Sequence, residues 1–191
     1  MRTVAALYVD TEHGPYASMS GVDAWGVERD ATTYDGAGPV VAHPPCGHWG
    51  AFRWNCKQPQ EWKSAGPVAV AQVRRLGGVL EHPASSMLWR HCRLPRPHGF
   101  PDAWGGFAVE VDQVWWGHQA RKRSWVYVVG VPMGAVALTG ADKSAKPTRV
   151  MGVSYAQGRT LLCLPKSARH ITPPRFAAWL VGLARQVQVP A

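Results

Sequence analysis

Two consecutive prolines, Pro44 and Pro45, constrain the fold of this chain more than any other feature of its sequence. They follow a short apolar run, Val40 to Ala42, with the composition of a buried strand. Neither proline can donate to a sheet ladder, so the strand must end there. Cys46 comes next, on a stiff turn beside Gly47 at the carboxyl end of that strand. Open α/β sheets form their ligand crevices at such ends. By itself the stretch leaves two readings: a thiol presented to a ligand, or a small buried thiol closing the sheet.

The rest of the chain supplies strands around that one. Thr3 to Val9 is nearly all apolar, as a strand covered on both faces should be, with Asp10 at its carboxyl end. Thr11 to Gly21 reads as a loop, Val22 to Val27 as a short strand, and Glu28, Arg29 and Asp30 as a polar edge. Pro67 to Leu76 has Val70, Val73 and Leu76 at helical spacing and is stopped by Gly77 and Gly78. Val79 and Leu80 then form a buried strand that delivers Glu81 to the same edge as Cys46, and the intervening helix fits a parallel crossover. Ala84 to Gly106 is broken by prolines, whereas Phe107 to Val111 and Ser124 to Val131 are rich in strand formers. Thr139 to Arg169 reads as loops with room for one hairpin. A last helix takes Thr172 as N-cap, Pro173 in its first turn, and an apolar stripe of Phe176, Trp179, Leu180 and Leu183. Together these elements predict a single α/β domain over residues 1–191, with a mostly parallel sheet.

Of the 191 residues 46% are hydrophobic and 17% charged, and no apolar run approaches the roughly 20 residues of a membrane span, so a folded protein without a membrane partner is expected. The apolar run near Met1 ends in Asp10 without a small-residue cleavage site, which favours a first strand over a signal peptide. Four cysteines, Cys46, Cys56, Cys92 and Cys163, lack paired C-x-x-C spacing, which points to the cytoplasm and away from a disulfide framework. Cys46, His48, Cys56, His91 and Cys92 carry zinc-ligand chemistry but at irregular spacing, and no metal is expected.

The net charge of +9 is one-sided: residues 113–191 hold 11 Lys and Arg against one acid, Asp142, while residues 1–112 hold 10 bases and 11 acids. Such a field favours a polyanion, above all nucleic acid. Within the basic half, Arg121, Lys122 and Arg123 follow Trp115, Trp116, His118 and Gln119, a mixture of charge and stacking surface that nucleic-acid grooves use. Gly47 to Gly66 carries Trp49 and Trp54 without a sustained period. It reads either as a mobile covering segment or as an ordered loop whose tryptophans pack down.

In order and type, Pro45-Cys46, then Glu81, then Gln119-x-Arg121-x-Arg123 ahead of a strand resemble the signature of the DNA cytosine-5 methyltransferases. Similar short chains are familiar from bacteriophages, which would place this one in a host cytoplasm. The resemblance implies a trimmed methyltransferase-like, Rossmann-like fold and a DNA partner whose target cytosine is flipped out of the stack. It implies Cys46 as the nucleophile at carbon 6, Glu81 at ring nitrogen 3, and Arg121 with Arg123 as the cations holding base and loop. Trp49 or Trp54 would cover the base or fill its place, with Lys122, His118 and Gln119 as further DNA contacts. The family's methyl donor is S-adenosylmethionine, which would lie beside Asp10 and Glu28. The Phe-x-Gly-x-Gly signature is absent after the first strand, and the 36 residues from Asp10 to Cys46 fit one βαβ unit, so donor binding is expected to be weak or lost. Glu81 is followed by His82-Pro83 in place of Asn-Val, and the segment after Arg123 is too short for a target-recognition domain, so sequence selectivity is expected to be poor unless a protein partner supplies it.

Overall fold

The computed structural model describes residues 2–151 and 162–188. Its strands are β1 (Val4–Leu7), β2 (Val22–Trp25), β3 (Val40–Ala42), β4 (Gly78–Pro83), β5 (Phe107–Asp112) and β6 (Arg123–Val129). The helices are α1 (Ala65–Leu76), α2 (Leu88–His91) and α3 (Pro174–Ala184). The strands form one mixed sheet in the order β2-β1-β3-β4-β6-β5, in which β2, β1, β3 and β4 are parallel and β6 runs antiparallel to both β4 and β5. The architecture is α/β. Among the described residues, no helix is long and apolar enough to cross a membrane.

Alternation along the strands explains why β1 and β3 read as unbroken apolar runs. Val4, Ala6, Val41, Val79, Val126 and Val128 face a core shared with Phe176, Leu180 and Leu183 of α3. Ala5, Leu7, Val40, Ala42, Leu80, Tyr127 and Val129 face a second core shared with Ala69, Val70 and Val73 of α1 and with Leu88 and Trp89 of α2. β1 and β3 are covered on both sides, and every position in them is apolar. β2 is only half-buried along its length, as an edge strand should be.

Several boundaries differ from expectation for local reasons. Helix α1 starts two residues before Pro67, directly from a 3-10 turn over Gln60–Ser64. Helix α3 has no side-chain cap: Pro173 occupies the N-cap and Pro174 the first turn, which leaves Thr172 outside. Strand β4 continues past Leu80, because Glu81, His82 and Pro83 pair with Val126, Trp125 and Ser124 of β6. The proline-broken stretch before β5 still holds the single turn α2. The hairpin anticipated in Thr139 to Arg169 falls partly on residues 152–161, outside the described residues; the bridge flanking them, Val150 with Cys163, is parallel.

Candidate active site at the carboxyl edge of the sheet

Register builds the centre of the site. Ala42 of β3 lies beside Leu80 of β4, so the next residue of each chain, His43 and Glu81, stand side by side and point away from α1. His43 Nδ1 lies 3.1 Å from Glu81 Oε2, and Tyr16, from the turns after β1, brings its hydroxyl to 2.6 Å from His43 Nε2. From the other flank Gln113 Nε2 donates to Glu81 Oε1 at 3.1 Å and to Ser124 Oγ at 3.0 Å. The result is a buried polar chain from Tyr16 through His43, Glu81 and Gln113 to Ser124. It spans the carboxyl ends of β3 and β4.

Charge follows from that geometry. Burial alone would raise the Glu81 carboxyl, but the hydrogen bond from His43 and the positive charge of Lys122 outweigh it and hold the group at about 2. Glu81 is therefore an ionised acceptor, so His43 donates from Nδ1 and, in the neutral ring, accepts the Tyr16 hydroxyl proton at Nε2. Burial and the Glu81 charge push Tyr16 well above the ordinary tyrosine range, so it keeps its proton.

Cys46 sits at the exposed end of this edge. Its turn is closed by the amides of Trp49 and Gly50, which donate to the Cys46 carbonyl at 3.1 and 2.7 Å. Although the residue presents open surface, its thiol is desolvated enough to be pushed up, with Glu81 adding to the rise and Lys122 opposing it. The sulfur is thus the sheltered part of an exposed residue. The same two charged groups act on it that act on each other.

Several residues singled out in the sequence lie elsewhere or are already engaged. Arg121 Nε donates to Asp112 Oδ2 at 3.1 Å, and Arg123 NH2 to Glu110 Oε1 at 2.7 Å, so neither cation converges on Cys46. Lys122, half-buried between them, supplies the positive charge instead. Glu81 is 7% exposed and inside β4, with both carboxylate oxygens occupied, and is not the neutral acid that the Cys46 chemistry was expected to need. Trp49 is buried: its indole donates to the Lys63 carbonyl at 3.2 Å and its ring packs on His91. Trp54 stands out at 74% exposure with Phe52 beside it at 75%, their rings 5.5 Å apart edge to face. His118 is buried with Nδ1 2.6 Å from the Ala120 carbonyl, and cannot reach a partner outside the protein. Gln119 is exposed, and its carbonyl accepts from the Thr148 and Arg149 amides.

No protein-family model matches the chain, and no curated protein matches it.

On the β1 side, Asp10 is exposed and turns its Oδ1 back to the amides of Glu12 and His13, at 3.0 and 2.8 Å. Glu28 is exposed beside Thr11, whose hydroxyl lies 3.2 Å from its Oε2. Between β1 and β3 the strand order reverses, and in α/β sheets a ligand crevice opens at such a point. Here Tyr16, 1% exposed, packs over the end of β3. Among the described residues no three His, Cys, Asp or Glu side chains converge as metal ligands would. Of the polar chain, sequence reasoning found only Glu81: His43 flanks the Pro-Pro-Cys motif but reads as a lone histidine, and Tyr16, Gln113 and Ser124 carry no signal that ties them to it.

Proposed function

We propose that this chain binds DNA and adds Cys46 to a cytosine displaced from the stack, as the cytosine-5 methyltransferases do, with Lys122 in the place of the arginine pair. The reading is carried by one observation: a strand-end thiol and an ionised carboxylate on the neighbouring strand, both within the field of a single lysine. In the step proposed, the Cys46 proton leaves to solvent, sulfur bonds to carbon 6, and the 5,6 double-bond pair moves towards carbon 5 and ring nitrogen 3. Lys122 offsets the charge of the thiolate and of the adduct. Glu81, held ionised and buried with both oxygens engaged, is not an acid in this step and does not touch the base; it fixes His43 and Gln113 behind the site. Protonation at carbon 5 from solvent, loss of the original carbon 5 proton to solvent and expulsion of the sulfur as thiolate then return cytosine, with its carbon 5 hydrogen exchanged. Specificity for a DNA sequence falls to a protein partner in this reading.

The residues on the β1 side do not fit S-adenosylmethionine. The Asp10 carboxylate is spent on its own loop, Glu28 lies open on the surface, and Tyr16 takes the space over the strand end. A methyl transfer is accordingly not part of the step above.

A second reading, a non-enzymatic DNA-binding module, is favoured by the raised Cys46 thiol and by a Glu81 whose two oxygens are both satisfied internally. DNA carrying 5-fluorocytosine separates the two. The enzyme reading expects a denaturation-resistant complex seen by mass spectrometry and lost in Cys46→Ser. DNA binding with neither adduct nor carbon 5 exchange leaves the binding module.

A further inference from the structure

The positive charge of the second half was the basis for expecting nucleic acid, yet its most prominent cluster is partly neutralised: Arg121 and Arg123 each hold a carboxylate. Another cluster does not. The loop after Cys46 and helix α2 border an open cleft of about 340 Å³ lined by His48, Arg53, Lys63, Arg90 and His91 around the ring of Trp49, with no acid in its wall. A second cleft of about 410 Å³ shares Trp49, Lys63 and His91 with the first and adds Gln60 and Ser64, with Glu61 as its one acid. The two adjoin at Trp49, Lys63 and His91 and together make a shallow groove. Among the described residues, Arg53, Lys63 and Arg90 have no ion-pair partner.

We propose that this groove binds the phosphodiester backbone of the nucleic-acid strand on which Cys46 acts. The assignment rests on the reading of the chain as DNA-acting and places the strand along residues that the basic second half does not contain. Three permanent cations against the single carboxylate of Glu61 leave the groove net positive, and a polyanion offsets that charge. The floor is rigid: Trp49 is fixed through its indole to Lys63 and through its carbonyl to the Met87 amide at 2.8 Å, which ties the loop to the start of α2. Nucleic acid fits better than an acidic peptide or an anionic lipid because Arg53 is flanked by Phe52 and Trp54. These are exposed, edge-to-face rings, a surface on which successive bases stack. The groove and the thiol share one turn, since the Trp49 and Gly50 amides close on the Cys46 carbonyl. A strand lying in the groove therefore passes Cys46.

The test compares wild type, R53A/K63A/R90A and R121A/R123A by fluorescence anisotropy on a short labelled single-stranded oligonucleotide across a salt series. All five residues are at the surface, and circular dichroism with urea unfolding checks each fold. The groove variant should lose about tenfold or more in affinity, and its log-affinity against log-salt slope should shrink by about 2, at roughly 0.7 per phosphate contact. The Arg121/Arg123 variant should lose less. Charge-preserving R53K/K63R/R90K should keep the wild-type slope. Trp54→Ala should weaken binding by about 5- to 100-fold at an unchanged slope. Wild-type affinity and slope in the groove variant, with the 5-fluorocytosine adduct still forming, overturn the groove and leave the DNA reading standing. Loss of affinity in the groove variant without any adduct in wild type supports the groove and removes the Cys46 chemistry. Wild-type protein that ignores oligonucleotides but binds acidic peptide or anionic vesicles overturns both.

Discussion

Replacing His82 with leucine should flatten the acid dependence of stability. His82 is 1% exposed in β4, and neither ring nitrogen reaches a hydrogen-bond partner; the Pro45 backbone is near without meeting bonding geometry. Burial lowers it from 6.5 to about 4, because a charged imidazole there would be stripped of water without compensation. For a base lowered on folding, the unfolded chain takes up its proton first. Stability is then full above about pH 6.5 and falls as pH drops towards 4, by up to about 1.4 kcal/mol per pH unit and about 3 kcal/mol in all. Leucine removes this term and also removes two unpaired buried nitrogens, so His82→Leu should be at least as stable as wild type at pH 7. Urea unfolding at half-unit steps from pH 7 to pH 4 would show the variant's advantage widening by about 3 kcal/mol. Parallel curves for the two proteins would refute the argument, since they would mean that the folded protein hydrates or pairs the ring.

Glu81 should govern a lower window: its folded carboxyl lies near 2, so its contribution is complete above about pH 4.5 and is lost as pH falls towards 2. Glu81→Gln should cost about 3 kcal/mol at pH 7 and much less at pH 3, measured by the same unfolding series. Gly78→Ala should destabilise by several kcal/mol or prevent folding, because φ there is +120° and an added Cβ would collide with the Val40 carbonyl of β3; thermal unfolding of the purified variant reads this directly. S-adenosylmethionine should give no heat of binding in calorimetry at millimolar ligand, and micromolar affinity would restore a donor site.

The sheet was legible because its central strands have no polar face to spare. Val4 to Leu7 and Val40 to Ala42 are covered by α1 on one side and α3 on the other, and a strand buried twice shows in sequence as a plain apolar run. Glu81 was placed on the right edge but in the wrong surroundings. Strand pairing with β6 extends β4 through Pro83, and antiparallel partners more than 40 residues away leave no local mark. Trp49 and Trp54 show the limit of composition: five residues apart in one irregular loop, one is pinned under α2 by its own backbone and indole, the other is open to solvent. Nothing in their immediate neighbours distinguishes them.

The choice between Lys122 and the flanking arginines could have been made from periodicity. Residues of a strand alternate between faces, so Ser124, Val126 and Val128 of β6 share one face while Arg123, Trp125 and Tyr127 share the other. The even set lies on the Glu81 side: Ser124 meets Gln113, which meets Glu81, and Val126 and Val128 join the core that also holds Val79. Extended one step back from the strand, that set includes Lys122, whose carbonyl still accepts from the Gln113 amide while its own amide turns to the Asp112 side chain. The odd set carries Arg121 and Arg123 to the face where Glu110 and Asp112 meet them. A motif read by residue type alone selects the arginines, which look better suited to hold a base; a motif read with the pleat selects the lysine. Only the lysine acts on Cys46 and Glu81 together, so removing its charge should raise both groups, whereas neutralising the arginines should leave them where they are.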